Sequence, residues 1–473
     1  MPKIEIFSLE MKTILITCFH PLISRNILSS NLMKFLLESG NIRIVIAAPE
    51  YRVPYLEEMC ARVGVFVVGV PTKAPVRSVA GSFFKRLSRT LLDTKTTRLK
   101  AEAKLNLDHA CLYYYAFFLP LSLLSRLSGI RATVRWFDFR LSPGGYPEVF
   151  DRFKPDLLYS TDVQNEYDLL FMREARNRKV SVVSQVRSWD NLTQWGLIRI
   201  IPDLLLVPSH FVADEAVRYH DVPKSKAAVV GYPHYDPYFR LETDSRETFF
   251  ESEGLDPTKK LIVFAPIDDR RMRANELTRT WMKNDLDEYL LRTLADIHEN
   301  ILVRFPPNTP VTIGNFTPPP HMHFDRPGVD LASGDIIDRD VSPEDDKRLR
   351  NILRWADVLV SGPSTMAIDA AIFDTPVILV NFVPTPRNFW HTIIEYGYNH
   401  IVNLVSSGGV HVARSREDFE EAIRRYLSDR SFDQSGRKQL VREQCSITSG
   451  GSSEAVASAL FQALGIAKNQ HVS

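Results

Sequence analysis

Residues 356–380, ADVLVSGPSTMAIDAAIFDTPVILV, carry the sharpest chemical signal in the chain. A buried strand ends at Ser361, Gly362 and Pro363 turn the backbone, and Ser364 or Thr365 opens a helix packed through Ala367, Ala370 and Ala371. The first amides of a helix lack carbonyl partners and lie at the positive end of its dipole, so such an opening suits the oxygens of a diphosphate. Asp369 follows one turn along the same face. An ordinary capped helix start would use the same residue types, and this segment alone leaves both readings open.

Other reactive side chains sit where strands are expected to end. Arg304 closes the apolar run 300–306, where a guanidinium can meet phosphate oxygens in fork geometry or brace the following loop, 307–341. Pro266 closes the strand 260–266 and joins Gly362, Ser364, Thr365, Asp369 and Arg304 in the expected donor-binding set. Arg270, Arg271 and Arg273 come next, as cleft cations or as a solvated basic loop. His20 follows the first strand, and an imidazole titrating near neutrality suits removal of a proton from an acceptor hydroxyl. A hydrogen bond within its own turn is the alternative role. Ser24, Arg25 and Asn26 form the expected acceptor-binding set, and Asp162 and Asp190 are the alternate catalytic carboxylates. No Asp-x-Asp pair falls at a strand end, the adjacent Asp268 and Asp269 point apart, and the acidic run 335–346 reads as a solvated loop. The expected chemistry therefore uses no metal and no other cofactor, with a helix dipole and arginine in place of a cation.

Positioning these groups requires parallel sheets. Short, nearly continuous apolar runs, rich in Val, Ile and Leu, recur at 13–18, 42–48, 65–70, 156–161, 180–185, 203–209 and 227–233, with helical patterns between most of them. Runs of that kind belong to strands covered on both faces. From 71 to about 130 the pattern is helical throughout, an insertion. A polar, proline-containing connection at 234–257 precedes a second cycle at 260–266, 300–306, 357–362, 376–382 and 400–405, and helices near 434–445 and 452–465 finish the chain. The expected architecture is α/β: two Rossmann-like, doubly wound domains facing each other across a cleft. The first would span 1–238 and the second 239–446, with 447–473 packing back toward the first. Ligands of such sheets bind beyond the carboxyl ends of the strands.

The bulk numbers narrow the classes. A chain of 473 residues with 44% hydrophobic and 24% charged residues fits two soluble domains, and a formal charge of +1 argues against a general nucleic-acid partner. Cys18, Cys60, Cys111 and Cys445 show no metal-ligand spacing and read as reduced thiols of a cytoplasmic protein. The run 13–18 is too short for a secretory signal, and Tyr113–Leu124, broken by Pro120, falls short of the roughly 20 residues of a membrane span. Residues 73–104 hold nine Lys/Arg against Asp93 and Glu102. With the aromatic stretch that follows, they suggest peripheral contact through 73–127 at the inner membrane surface, or else a helical insertion with a solvated basic face.

Segment 356–380, with Ser364, Thr365, Asp369, Pro376 and Val377 in place, resembles the nucleotide-binding region of GT-B fold glycosyltransferases. The likeness is greater to the group of the CDP-glycerol glycerophosphotransferases and related polysaccharide-synthesis enzymes. QVRSWDNL (185–192), the stretch 202–236 and TSGGSSEAVASAL (448–460) are similar to the same group, as is ISRNIL (23–28). One departure stands out. The glycerophosphotransferases carry a His-Gly pair and an Arg-x-His-Pro segment, whereas this chain has no His-Gly pair and reads VRFPPN at 303–308. The resemblance thus implies a glycosyltransferase moving a sugar from a nucleotide-diphosphate donor to a cell-surface glycan or lipid-linked acceptor. Polyol-phosphate transfer from a CDP-linked donor, and a nucleotide-sugar epimerase of the same fold, are the alternatives.

Overall fold

A computed structural model describes residues 11–72, 78–107, 109–127, 129–267, 286–331, 333–384 and 393–466. Two parallel sheets organise it. The first contains β1 (Lys12–Thr17), β2 (Ile42–Pro49), β3 (Val65–Val70), β4 (Leu157–Ser160), β5 (Ser181–Gln185), β6 (Leu204–Val207) and β7 (Ala227–Val229), in the order β3-β2-β1-β4-β5-β6-β7. The second contains β8 (Leu261–Ala265), β9 (Asn300–Arg304), β10 (Met322–Asp325), β11 (Val358–Ser361), β12 (Val377–Val380) and β13 (His411–Ala413), in the order β10-β9-β8-β11-β12-β13. The strands are buried because helices cover both faces; Ile14, Leu15 and Ile16 alternate between two apolar clusters and are all inaccessible to solvent. This is the two-domain α/β arrangement of the GT-B type.

The strand order reverses between β1 and β4 in one sheet and between β8 and β11 in the other. Chains leaving the two central strands diverge to opposite faces there, which opens a crevice beyond the carboxyl edge. Four loops surround these switch points, and His20, Asp162, Pro266 and the Gly362–Thr365 turn lie on them.

Four expectations are corrected. HIVNLV is not a strand: Asn399–Ser406 is helical, with His400, Ile401 and Leu404 inward at helical spacing, and the edge strand comes later, at His411–Ala413. A short β-branched run satisfies either period, and the packing decides. The loop 307–341 contains the four-residue edge strand β10. The acidic run 335–346 is not wholly solvated, since Asp340 and Asp346 are buried. The insertion also extends past 130, as helices Val79–Thr90, Lys95–Leu107, Tyr113–Phe118 continuing into Leu119–Leu124, and Ile130–Leu141.

The lobes are joined by buried polar contacts. Arg52, fully buried just after β2, donates to the carbonyls of Cys18 and His20 (both 3.2 Å) and to Ser24 Oγ (3.2 Å). It also donates to the Pro21 carbonyl at 3.4 Å and pairs with Asp340 of the opposite lobe, which accepts from Ser24 as well. The last helix, Ser452–Ala463, returns to the first sheet: Val456, Ala457 and Leu460 share a cluster with Ile14 and Ile44. Asp236 accepts from the amides of Ser452 and Ser453, each at 2.8 Å.

Removing Asp340 would strand a buried guanidinium. Asp340→Ala is expected to destabilise the chain by about 3–5 kcal/mol, and the double variant Arg52→Met/Asp340→Leu by less. Denaturant-unfolding midpoints of the three chains check this.

Candidate functional site

The N-terminal switch point is built on a buried carboxyl. Asp168 accepts from Thr17, from Ser160 Oγ at 3.0 Å and from the amide of Asp162 at 3.2 Å, and burial, with Asp162 nearby, pushes its carboxyl up to about 7. Above it Asp162, itself buried, accepts from Arg187 Nε at 2.7 Å and from the Gln164 amide at 3.1 Å. Asp162 is thus committed to holding Arg187 at the cleft edge. Arg187, inside QVRSWDNL, has no signal of its own in the sequence. It lines a small pocket with Asn26, Thr161, Gln185, Tyr232 and His234. Among the described residues, His234 Nδ1 has no hydrogen-bond partner.

His20 stands beside this pair. Burial, then the Arg187 and Arg52 cations, hold its imidazole well below the ordinary value against the opposing pull of Asp190. The Leu22 amide donates to His20 Nδ1 at 3.2 Å, so the neutral ring carries its proton on Nε2. In this geometry His20 offers a donor and not a free lone pair, which is the turn-bonding alternative of the sequence. Asp190, by contrast, is held as a carboxylate. Burial opposes its charge, but His400, Arg187 and the Ser188 hydroxyl outweigh that and keep the carboxyl below its usual range. Gln194 donates to it from the same turn.

The acceptor-binding triplet divides. Ser24 is locked to Asp340 and to the Pro21 carbonyl (2.8 Å), leaving no free hydroxyl. Asn26 accepts from Arg25 Nε at 3.0 Å and lines the pocket. Arg25 crosses to the other lobe, 3.8 Å from Asp346. Burial disfavours its charge, yet Asp346, Tyr238, Asp369 and Tyr235 together raise its pKa.

Opposite lies the Gly362–Asp369 segment. A Cβ at Gly362 would come within 2.9 Å of Ile267, so the turn closes only with glycine. Ser364 is half-buried, its Oγ accepting from the Met366 amide at 3.3 Å, and Thr365 is exposed at the helix start without a side-chain capping bond. The helix, Met366–Ile372, is short. Asp369 on its first turn accepts from Tyr235, and burial raises its carboxyl to about 6, with Arg25 opposing. Pro266 is buried at the end of β8.

Arg304 takes the bracing role. It pairs with buried Asp325 and donates to the Asp345 carbonyl at 3.2 Å, fixing β10 and the start of helix Pro343–Trp355. The turn at 448–452 is likewise occupied, its amides held by Asp236. Asp268, Asp269, Arg270, Arg271 and Arg273 lie outside the described residues.

One cation had no sequence signal. Lys100 comes from the insertion helix Lys95–Leu107, its amine 2.9 Å from Gln194 Oε1 and over the rings of Trp195 and Tyr398. Burial lowers it to about 8, with Glu395 and Asp190 opposing. Thr96 of this helix accepts from the Asn399 amide at 2.9 Å, so the insertion bridges the lobes. Among the described residues no three His, Cys, Asp or Glu side chains converge as a metal-ligand set.

Residues 172–462 match the family model of CDP-glycerol:poly(glycerophosphate) glycerophosphotransferase, and the chain belongs to that family. It is 23% identical over 321 residues to a lipid-A-disaccharide synthase of Geobacter sulfurreducens, covering 66% of this chain and 76% of that one. Two solved structures share its fold. The UDP-GlcNAc 2-epimerase of Neisseria meningitidis bound to UDP-GlcNAc superposes with a TM-score of 0.52 at 10% identity, over 96% of this chain and 100% of that one. The Methanocaldococcus jannaschii UDP-GlcNAc 2-epimerase in complex with UDP-GlcNAc and UDP gives 0.51 at 12%, over 96% and 100%.

The carboxyl of Asp369 yields a signed pH test. Folded it titrates near 6, against 3.8 for the ordinary group, so folding penalises its charge. The penalty is absent below 3.8, grows as pH rises to 6 and is full above. Asp369→Asn should therefore stabilise the chain at pH 7–8 by up to about 3 kcal/mol, with the gain vanishing near pH 4. Melting curves of both chains across that range read it out.

Proposed function

We propose that the chain transfers a sugar from a nucleotide-diphosphate donor to a hydroxyl of a glycan or lipid-linked acceptor, at the crevice between the two switch points. The observation that carries this reading is the placing of cations from separate segments about the crevice: Arg187 on Asp162 at 2.7 Å, Lys100 on Gln194, itself bonded to Asp190, and Arg25 3.8 Å from Asp346 of the other lobe. A diphosphate leaving group needs such fixed positive charge, and buried preorganised cations supply it without reorganisation. In this scheme Arg187 and Lys100 face the departing diphosphate and the Gly362–Thr365 turn receives its oxygens. Asp190 accepts the acceptor's proton, and His20 Nε2–H orients the hydroxyl. Asp162 and Asp168 position Arg187 from below. The reaction is metal-independent. Likeness to a lipid-A-disaccharide synthase supports sugar transfer, as does the missing His-Gly pair.

Family membership favours a second reading, transfer of a polyol phosphate from a CDP-linked donor. The two differ in the bond broken. Sugar transfer cleaves the anomeric C–O bond and releases a nucleoside diphosphate; polyol-phosphate transfer cleaves the P–O–P bridge and releases CMP. Incubating the full chain with UDP, GDP and dTDP sugars and with CDP-glycerol, and separating the nucleotides released, decides between them. A nucleoside diphosphate is expected; CMP alone would install the second reading, and no release with any donor and acceptor would remove both.

On an active pair, Asp190→Asn should lower kcat by about 10²–10⁴ while donor affinity stays within about twofold, and His20→Ala should cost less. Steady-state kinetics check both, and EDTA should leave the rates unchanged.

A further inference from the structure

The outward face of the insertion is amphipathic in the wrong sense for a protein surrounded by water. Along Tyr113–Leu124 and the turn beyond it, the inward positions include Ser122 and Ser125, 4% and 3% exposed, while Leu119, Leu123, Leu124 and Leu127 stand 41–56% exposed. The buried serines are satisfied locally, Ser122 Oγ on Asp93 at 3.1 Å and Ser125 Oγ on the Ser122 carbonyl at 2.7 Å. Helix Ile130–Leu141 repeats the inversion: Asp138 is buried between Arg173 and Arg199, while Trp136, Phe137 and Leu141 are about half exposed. Twelve of the twenty-three large apolar side chains exposed among the described residues fall within 79–141. Scattered exposed leucines need no explanation, but this concentration marks a surface that meets an apolar phase.

Charge selects which phase. Residues 78–141 hold eleven Lys/Arg against four acids in a chain of net charge +1, so the rest of the molecule is net acidic. Arg86, Arg89, Lys95, Arg126 and Arg140 are exposed, and the Arg140 guanidinium lies 5.3 Å from the centre of the Trp136 ring. Apolar and aromatic side chains interleaved with solvated cations match the boundary of an anionic bilayer, where rings and leucines enter the acyl region and the cations meet phosphate headgroups. No helix among the described residues is long and apolar enough to span a membrane. We propose that the face formed by helices 113–124 and 130–141 seats the protein on an anionic lipid surface, lying on it and not through it. The proposal does not depend on the transfer reaction. It does place a bilayer beside the cleft, because the preceding helix, Lys95–Leu107, reaches the opposite lobe at Asn399.

The test is flotation of the full chain with vesicles of phosphatidylcholine plus phosphatidylglycerol, against phosphatidylcholine alone, with light scattering of the lipid-free protein. The wild-type chain should float with the anionic vesicles, and raised salt should release it. Leu119→Ser/Leu123→Ser/Leu127→Ser should lower partitioning at least about tenfold with an unchanged melting temperature. Arg86→Glu/Arg89→Glu, at exposed positions, should lower it by a similar factor. A wild-type chain that stays with the unbound protein, or a triple variant that floats as well as wild type, overturns the proposal. So does a lipid-free dimer abolished by the leucine changes without vesicle binding, which would assign the face to a second copy of the chain.

Discussion

A guanidinium with no access to water organises this molecule. Arg52 must find acceptors inside the protein, and it gathers the carbonyls of Cys18 and His20, the Ser24 hydroxyl and the Asp340 carboxylate. Three of those belong to the loop after β1 and the fourth to the opposite lobe. One side chain therefore shapes the first switch-point loop, turns His20 toward the crevice and fixes how closely the two sheet edges approach. Arg25, from that same loop, repeats the device by crossing to Asp346. Without such ties, two sheets with separate cores would be free to hinge, and residues contributed from both sides would not hold a common geometry.

The crevice is also balanced electrostatically before any substrate enters. Its cations face Asp162, Asp190, Asp346, Asp369 and Glu395, so no bare charge is buried. An incoming phosphate would compete with these carboxylates for the cations, and burial already raises the Asp369 carboxyl. His20 is neutral because burial, and then cations on two sides, leave a proton no favourable place on the ring.

Much of the architecture was legible in the sequence, because strands buried on both faces write themselves as continuous apolar runs. What escaped were short edge elements such as β10 and the helix 399–406, where four to eight residues fit either period and the lobe's packing decides. The positions of the Gly362–Thr365 turn, Asp369, Asp190 and the Ser24–Asn26 loop beyond strand ends were readable from the sequence. Their partners were not. That Arg304 would be taken by Asp325, or Asp162 by Arg187, depends on contacts 21 and 25 residues apart in the chain, and Lys100 reaches the crevice from a segment without any motif. The inside-out pattern of Ser122, Ser125 and Leu119–Leu127 was equally hidden, since helical spacing tells which residues share a face but not which face turns inward.

The central claim is that one nucleotide-binding crevice is made jointly by both lobes. Hydrogen–deuterium exchange of the full chain, with and without saturating nucleoside diphosphate, tests it most directly. Slowed exchange is expected in the loops 20–28 and 185–191 of one lobe together with 362–369 and 395–400 of the other. Protection confined to a single lobe, or located away from these four segments, would contradict it.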